Sequence, residues 1–283
     1  MKNFVVPVDF SMESLNGLKL AILFSRHTKI DIHMIYVLHK TADVEKAVIE
    51  AETQLAENKF RNIIQEYSPG LGNDSTLGFV INRGRIFQEV VNQAEILPNC
   101  IITASTHGAS GFQELFIGSN AFRIISATDK PVITIRKNAC PEKIARIVMP
   151  IDLSVDSRQK VPYTTEIAKL LNAEIHVVGI HTLRGLGNKR KMRSYISQVA
   201  AFIEDKVPCE TNEVSGDNVA EMVVNYAHTV KADLISITTE KSSGISLLIG
   251  NTVHQILNKA EIPVLCLTPK NIRKSGTFVT TGG

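Results

Sequence analysis

Apolar residues along this chain fall into short continuous runs separated by longer stretches with helical spacing. "NFVVPVD" reads as a strand and "SMESLNGLKLAILFSRHT" as a helix that Ser11 would cap. "IDIHMIYVLH" is a second strand, and "DVEKAVIEAETQLAENKFRNIIQEY" a long helix stopped by "SPGLGND". "TLGFVI" (strand), "RIFQEVVNQAE" (helix), "CIITAS" (strand), "SNAFRIISAT" (helix) and "KPVITIR" (strand) follow. Strands that are apolar along their whole length and alternate with helices predict a parallel sheet covered on both faces. The expected fold class is α/β, with five parallel strands in a doubly wound, Rossmann-like domain.

The same pattern is written twice. "FVVPVDFSMES" at 4–14 returns as "IVMPIDLSVDS" at 147–157, and "IDIHMIYVLH" at 30–39 returns as "AEIHVVGIHT" at 173–182. An offset of 143 residues sets Pro7 against Pro150, Asp9 against Asp152 and His33 against His176. Towards the end of each copy, "FIGSNAFRIISATDKPVITI" matches "LIGNTVHQILNKAEIPVLCL" at an offset of 132. The second copy is therefore shorter by 11 residues, lost mainly between its second and third strands. The expected organisation is one domain over 1–138, a second over 144–270, and a polar flexible tail at 271–283. "RKNACPEK" at 136–143, with its proline and charges, is the expected linker.

Composition narrows the class without naming a function. The 283 residues are 44% apolar and 21% charged, enough to bury a core in each half. A net charge of +3 makes no general case for a nucleic-acid or membrane partner. No apolar run reaches membrane-spanning length and "MKNFVVPVDF" shows no leader pattern, so a soluble, cytoplasmic protein is expected. Cys100, Cys140, Cys209 and Cys266 lack paired or metal-ligand spacing, and Cys100 and Cys266 read as buried thiols.

In doubly wound sheets, ligands bind beyond the carboxyl ends of the strands, where the strand order reverses. Asp9, Val37 and the loop "ASTHGASGFQELFIGSNAF" at 104–122 all reach that edge in repeat 1. Gly108 and Gly111 let backbone N–H groups approach an anion closely. Gly118, Ser119 and Asn120 open a helix, whose free N–H groups favour phosphate.

The "VPVDFS" opening, the five-strand pattern, the glycine loop and the final "PV" strand together resemble the universal stress protein family. The resemblance covers residues 1–136 and 144–268. Nucleotide-binding members carry G-x-x-G, nine residues, then G followed by Ser or Thr. Gly108 and Gly118 match the second and third glycines, Ser119 follows, and Ser105 replaces the first. The resemblance implies an adenine-nucleotide site in repeat 1, with ATP or a relative bound, with or without Mg²⁺. Pro7, Asp9 and Val37 would lie near the base, with Ser105, Gly108, Gly118, Ser119 and Asn120 near the ribose and phosphates. In repeat 2, Thr238 and Lys241 stand at the first two glycine positions and Asn251 follows Gly250, so that copy is expected to be degenerate for nucleotide. The resemblance also implies that the repeats pair as an intramolecular pseudo-dimer through "VITI" and "VLCL", with a further homodimer left open.

Several features carry two readings. Asp9 and Asp152 fit a turn cap as well as a ligand contact. His33 and His176 read as structural, because no partner stands at metal-ligand spacing. "NKRKMRS" at 188–194 reads as a solvated helix face, and Arg83 and Arg85 as a pocket edge or free charges. No Walker A motif or nucleophile–base pair appears in the sequence. The expected function is therefore nucleotide-dependent regulation in a stress response, not dedicated catalysis. A non-nucleotide scaffold built from two repeats, with protein partners not identified, and a slow ATP hydrolase are the alternatives.

Overall fold

A computed structural model describes residues 1–39, 45–106, 118–136, 140–182, 188–239 and 250–268. The chain divides into two compact units, Met1–Cys140 and Pro141–Gly283, so the boundary falls inside the proline-bearing linker. In unit 1 the elements run β1 (Asn3–Pro7), α1 (Leu15–Ser25), β2 (Asp31–His39), α2 (Lys46–Tyr67), β3 (Thr76–Gly84), α3 (Ile86–Ile96), β4 (Cys100–Ser105), α4 (Ser119–Ala127) and β5 (Val132–Ile135). Unit 2 repeats them as β6 (Arg146–Ile151), α5 (Val155–Gln159), α6 (Val161–Leu171), β7 (Glu174–Thr182), α7 (Lys189–Glu204), β8 (Cys209–Gly216), α8 (Val219–Thr229), β9 (Leu234–Thr238), α9 (Asn251–Lys259) and β10 (Val264–Leu267).

The strand order is β3-β2-β1-β4-β5 in unit 1 and β8-β7-β6-β9-β10 in unit 2, with the pairs in each unit parallel. The order reverses beside the first strand of each unit. There β1 pairs with β4 only as far as Val5↔Ile102, and β6 with β9 only as far as Val148↔Ile235. Beyond those residues the two strands part, which opens a crevice at the carboxyl edge.

The central strands are buried on both faces, as their apolar runs predict. Phe4, Val5, Ile101, Ile102, Ile147, Val148 and Leu234 have no measurable exposure. Each such side chain contributes about 1.5–3 kcal/mol through burial. Helix α1 is buried almost throughout, whereas α2 buries only Ala56, Phe60 and Ile63, one stripe at i, i+4, i+7. Phe60 stacks on Phe79 of β3, ring centroids 4.6 Å apart.

Two boundaries differ from the sequence expectation. Helix α1 begins at Leu15, not at Met12 directly after the expected Ser11 cap, because residues 9–14 form a hydrogen-bonded turn first. In that turn Asp9 Oδ1 accepts from the Ser11 N–H and hydroxyl, and Ser11 Oγ accepts from the Ser14 N–H. Strand β3 continues through Asn82-Arg83-Gly84, since backbone pairing with β2 persists to His39↔Gly84 despite the turn-like composition.

Gly17 sets the distance between α1 and β4. A Cβ there would lie 2.9 Å from the Thr103 carbonyl oxygen and 3.2 Å from a Val6 methyl. The Thr103 hydroxyl donates to the Gly17 carbonyl at 3.0 Å, which fixes the same contact. Gly17→Val should therefore destabilise unit 1 by about 3 kcal/mol through overpacking. Gly78→Ala, where a Cβ would have no neighbour within 4 Å, should change stability by less than about 0.5 kcal/mol. Urea unfolding of both variants checks this pair.

Candidate functional site

In repeat 1, the carboxyl edge is assembled from the end of β1, the end of β2 and the approach to α4. Pro7 is the last residue of β1 and pairs with Ile35. The Val8 N–H then donates to the Ile35 carbonyl at 2.9 Å, so Ile35 turns its polar groups towards β1. Alternation along the strand turns the Val37 N–H and C=O the same way. No hydrogen bond from the described residues reaches them, because β1 has already ended. Val37 itself is buried, at 7% exposure. Asp9 stands exposed beside this point, held by Ser11.

Phe10 follows with φ of 65°, an uncommon backbone state for a bulky residue. Its ring packs against Tyr36 at 4.7 Å and Phe60 at 5.0 Å, under the Lys59 ammonium at 4.8 Å. The aromatic contacts compensate for the strained backbone and seal the α2 side of the edge.

Ser105 ends β4, half-buried and in register with Ile135. Gly108 lies outside the described residues, as does the rest of 107–117. Gly118 resumes the chain as the N-cap of α4 and its N–H donates to the Thr106 carbonyl at 2.6 Å. A Cβ at Gly118 would come within 2.7 Å of that oxygen, so glycine is required to close the loop at its base. The first backbone bond inside α4 runs from Phe122 to Gly118, which leaves the N–H groups of Ser119, Asn120 and Ala121 ahead of the helical ladder. Ser119 is exposed and Asn120 half-buried.

Repeat 2 carries the same frame with different side chains. A cavity of about 480 Å³ opens at its carboxyl edge, lined from β6, α5, β7, α8, β9 and α9. Asp152 and Gly250, the counterparts of Asp9 and Gly118, both line it. Gly250 caps α9, and a Cβ there would meet nothing within 4 Å. Thr238, standing where repeat 1 has Ser105, donates to the Asp156 carbonyl at 3.3 Å. Lys241 lies outside the described residues.

The residue that most distinguishes this cavity is Lys160. It occupies the position of Gly17, 143 residues on, yet its side chain is only 2% exposed and lines the cavity wall. Its ammonium donates to the Ser157 carbonyl at 2.5 Å. Burial pushes its pKa down to about 8, against the opposing pull of the Asp152 carboxylate. Although Asp152 keeps an exposed face, partial burial works against its charge too. Hydrogen bonds from Ser154 and Ser157, with Lys160 nearby, outweigh it and hold the carboxyl below its ordinary value. Alongside, the buried His181 meets Glu213 at 2.6 Å, and Glu213 also takes Arg193 at 2.9 Å. Arg193 belongs to the basic run at 188–194, whose Lys189, Arg190 and Lys191 are exposed as a solvated face.

The two repeated histidines each have a side-chain partner within the fold. His33 meets Asn3 at 3.1 Å, and burial, opposed by Asp31, lowers its pKa. His176 meets Tyr226 at 3.1 Å. No disulfide joins the four cysteines, and burial pushes the Cys100 thiol up to about 12. No group of three metal-ligating side chains occurs among the described residues. None of their helices is long and apolar enough to cross a membrane.

Lys160 gives the stability a defined pH dependence. The unfolded lysine holds its proton up to about 10.5, whereas the folded one releases it near 8. Between those values the unfolded chain binds more protons, so stability rises with pH there. Lys160→Met should stabilise the protein at pH 7 by up to about 3 kcal/mol, and the gain should vanish as pH climbs from 8 to 10.5. Urea titrations at pH 7, 8.5 and 10 measure it.

A model of the universal stress protein family matches residues 1–136 and 143–268. Universal stress protein MJ0531 of Methanocaldococcus jannaschii is 25% identical over 146 residues, which span 48% of this chain and 82% of that protein. A universal stress protein structure from Archaeoglobus fulgidus superposes with a TM-score of 0.74 over 94% of this chain and 96% of its own, at 16% identity. At that identity the likeness is one of fold, and it extends over both repeats. The chain belongs to the universal stress protein family, as a tandem member carrying two copies of the domain.

Proposed function

We propose that repeat 1 binds an adenine nucleotide, ATP or a close relative with Mg²⁺ on its phosphates, and that occupancy regulates conformation or partner choice in a stress response. The observation that carries this reading is the Val37 backbone pair. A donor and an acceptor lie side by side at the carboxyl edge with no partner among the described residues. The amino group and ring nitrogen of adenine present the complementary pair.

The remaining residues fit a nucleotide extended along the same edge. The N-terminus of α4, with the Ser119 hydroxyl and the Asn120 amide, offers N–H groups that have no partner among the described residues, and a favourable dipole, to phosphate. Asp9 is held by Ser11 at the base side, and Pro7 and Ser105 end the two strands that flank the crevice. Gly108 belongs to the phosphate loop in this reading. The bound metal would screen phosphate charge; the chain's own part is to position the nucleotide. Ser119 and Asn120 are donors, not a base that activates water, which supports regulation over turnover.

Calorimetry with Mg-ATP and Mg-ADP tests the reading. Saturable binding is expected for the native chain. Ser119→Asp should weaken it at least tenfold, about 1.4 kcal/mol, because the new carboxylate faces the phosphates. The same carboxylate suits a helix N-terminus, so the Tm should hold or rise. Asn251→Asp in repeat 2 should leave the affinity unchanged. A flat titration of the native chain favours the scaffold alternative, and equal losses from both variants refute the assignment to repeat 1.

A further inference from the structure

The cavity of repeat 2 has an amine in its wall that the fold does not require. The equivalent position in repeat 1 is Gly17, which packs directly onto β4. Lys160 instead sits buried, with one hydrogen bond to a backbone carbonyl and no carboxylate of the described residues within ion-pair distance. A buried cation without a close counterion lowers stability, and its bond to the last turn of α5 offsets only part of that cost.

The surroundings select the kind of ligand. Leu153, Ile180, Met192, Val223, Ile237 and Val253 give the cavity apolar walls, and its volume of about 480 Å³ suits a small molecule. The titratable groups that line the cavity with Lys160 are Asp152 and Asp156, from the loop and helix preceding it, and His181 from β7; of these, Asp152 interacts electrostatically with the amine. His181 is already engaged by Glu213, and the nearby Arg158 lies over Tyr195 at 3.7 Å. The carboxylates of Asp152 and Asp156 offset the amine and the open N-terminus of α9, which leaves the cavity without a strong net preference for an anionic guest.

We propose that this cavity captures a small uncharged carbonyl compound with an apolar body, an aldehyde or ketone, as an imine on Lys160. The lone pair of the neutral amine forms a bond to the carbonyl carbon, and the C=O π pair moves to oxygen, which takes a proton. The nitrogen gives up that proton. A second proton, from solvent, lets the oxygen leave as water as the C–O bond breaks, and the nitrogen lone pair closes the C=N bond of a protonated imine, with no change of oxidation state. The Asp152 carboxylate, held ionised by the Ser154 and Ser157 hydrogen bonds, interacts electrostatically with the Lys160 nitrogen and favours the resulting cation. Burial keeps about a tenth of the amine neutral at pH 7, against under a thousandth for an exposed lysine.

Reductive trapping tests the proposal on the intact chain. The protein is incubated with hexanal and cyanoborohydride, digested, and each lysine-containing peptide quantified by mass spectrometry. Lys160 should be alkylated at least tenfold faster than the average exposed lysine, with a rate that climbs through about pH 8. Its selectivity should vanish in urea, and Lys160→Met protein should label only at the surface rate. Labelling of Lys160 at or below the surface rate overturns the proposal, and the native peptide map settles this even if the variant does not fold. Protection of Lys160 by hexanoate but not by hexanol also overturns it, by assigning the cavity to an anion. Neither result bears on nucleotide binding in repeat 1, which calorimetry reads separately.

Discussion

Everything at the functional edge follows from where parallel pairing stops. A parallel sheet buried on both faces satisfies its polar backbone internally, so unsatisfied groups gather where one strand outlasts its neighbour. Here β1 leaves β4 after Val5, and β2 runs two residues and more beyond the end of β1. That mismatch exposes the Val37 backbone pair and makes room beside α4. The same mismatch in unit 2, where β6 leaves β9 after Val148, opens the cavity that Lys160 lines. Strand length and register, more than any single side chain, decide that both crevices exist.

What fills each crevice is decided by a few positions in the shared frame. At the offset of 143, Phe10 and Tyr36 correspond to Leu153 and Gly179, and Gly17 to Lys160. In repeat 1 the aromatic pair packs with Phe60 and Phe79, and α1 closes directly onto β4. In repeat 2 the smaller Leu153 lines the cavity, and Gly179 lets Ile196 and Met192 of α7 approach the strand. The two copies keep one architecture because core burial constrains it, while the loop and helix-start positions are free to diverge.

The sequence made the frame legible and left the chemistry of repeat 2 hidden, for physical reasons. Apolar runs report burial on both faces, so the strands and their repetition were readable to within a residue or two. The start of α1 was not, because Asp9, Ser11 and Ser14 settle it through side-chain bonds to backbone that compete with the helix. The end of β3 was not, because "NRG" pairs by its backbone regardless of composition. Pro7, Asp9, Val37, Ser105, Gly118, Ser119 and Asn120 do lie along one edge of unit 1, as strand ends and a helix start must. Lys160 was missed because "RQKVP" reads as a charged helix start exposed to water. Only the comparison with Gly17, a position with no room for a side chain, hints that this residue faces inward.

Lys160 also limits how degenerate repeat 2 can be considered. Its substitutions at the glycine-loop positions argue against the nucleotide geometry of repeat 1, but loss of one ligand is not loss of a site. Lys160, the ionised Asp152 held by two serines, and the open N-terminus at Gly250 line one solvent-open cavity. A cavity whose wall holds a buried lysine beside a hydrogen-bonded carboxylate has the chemistry of a site of its own, whatever its fitness for nucleotide.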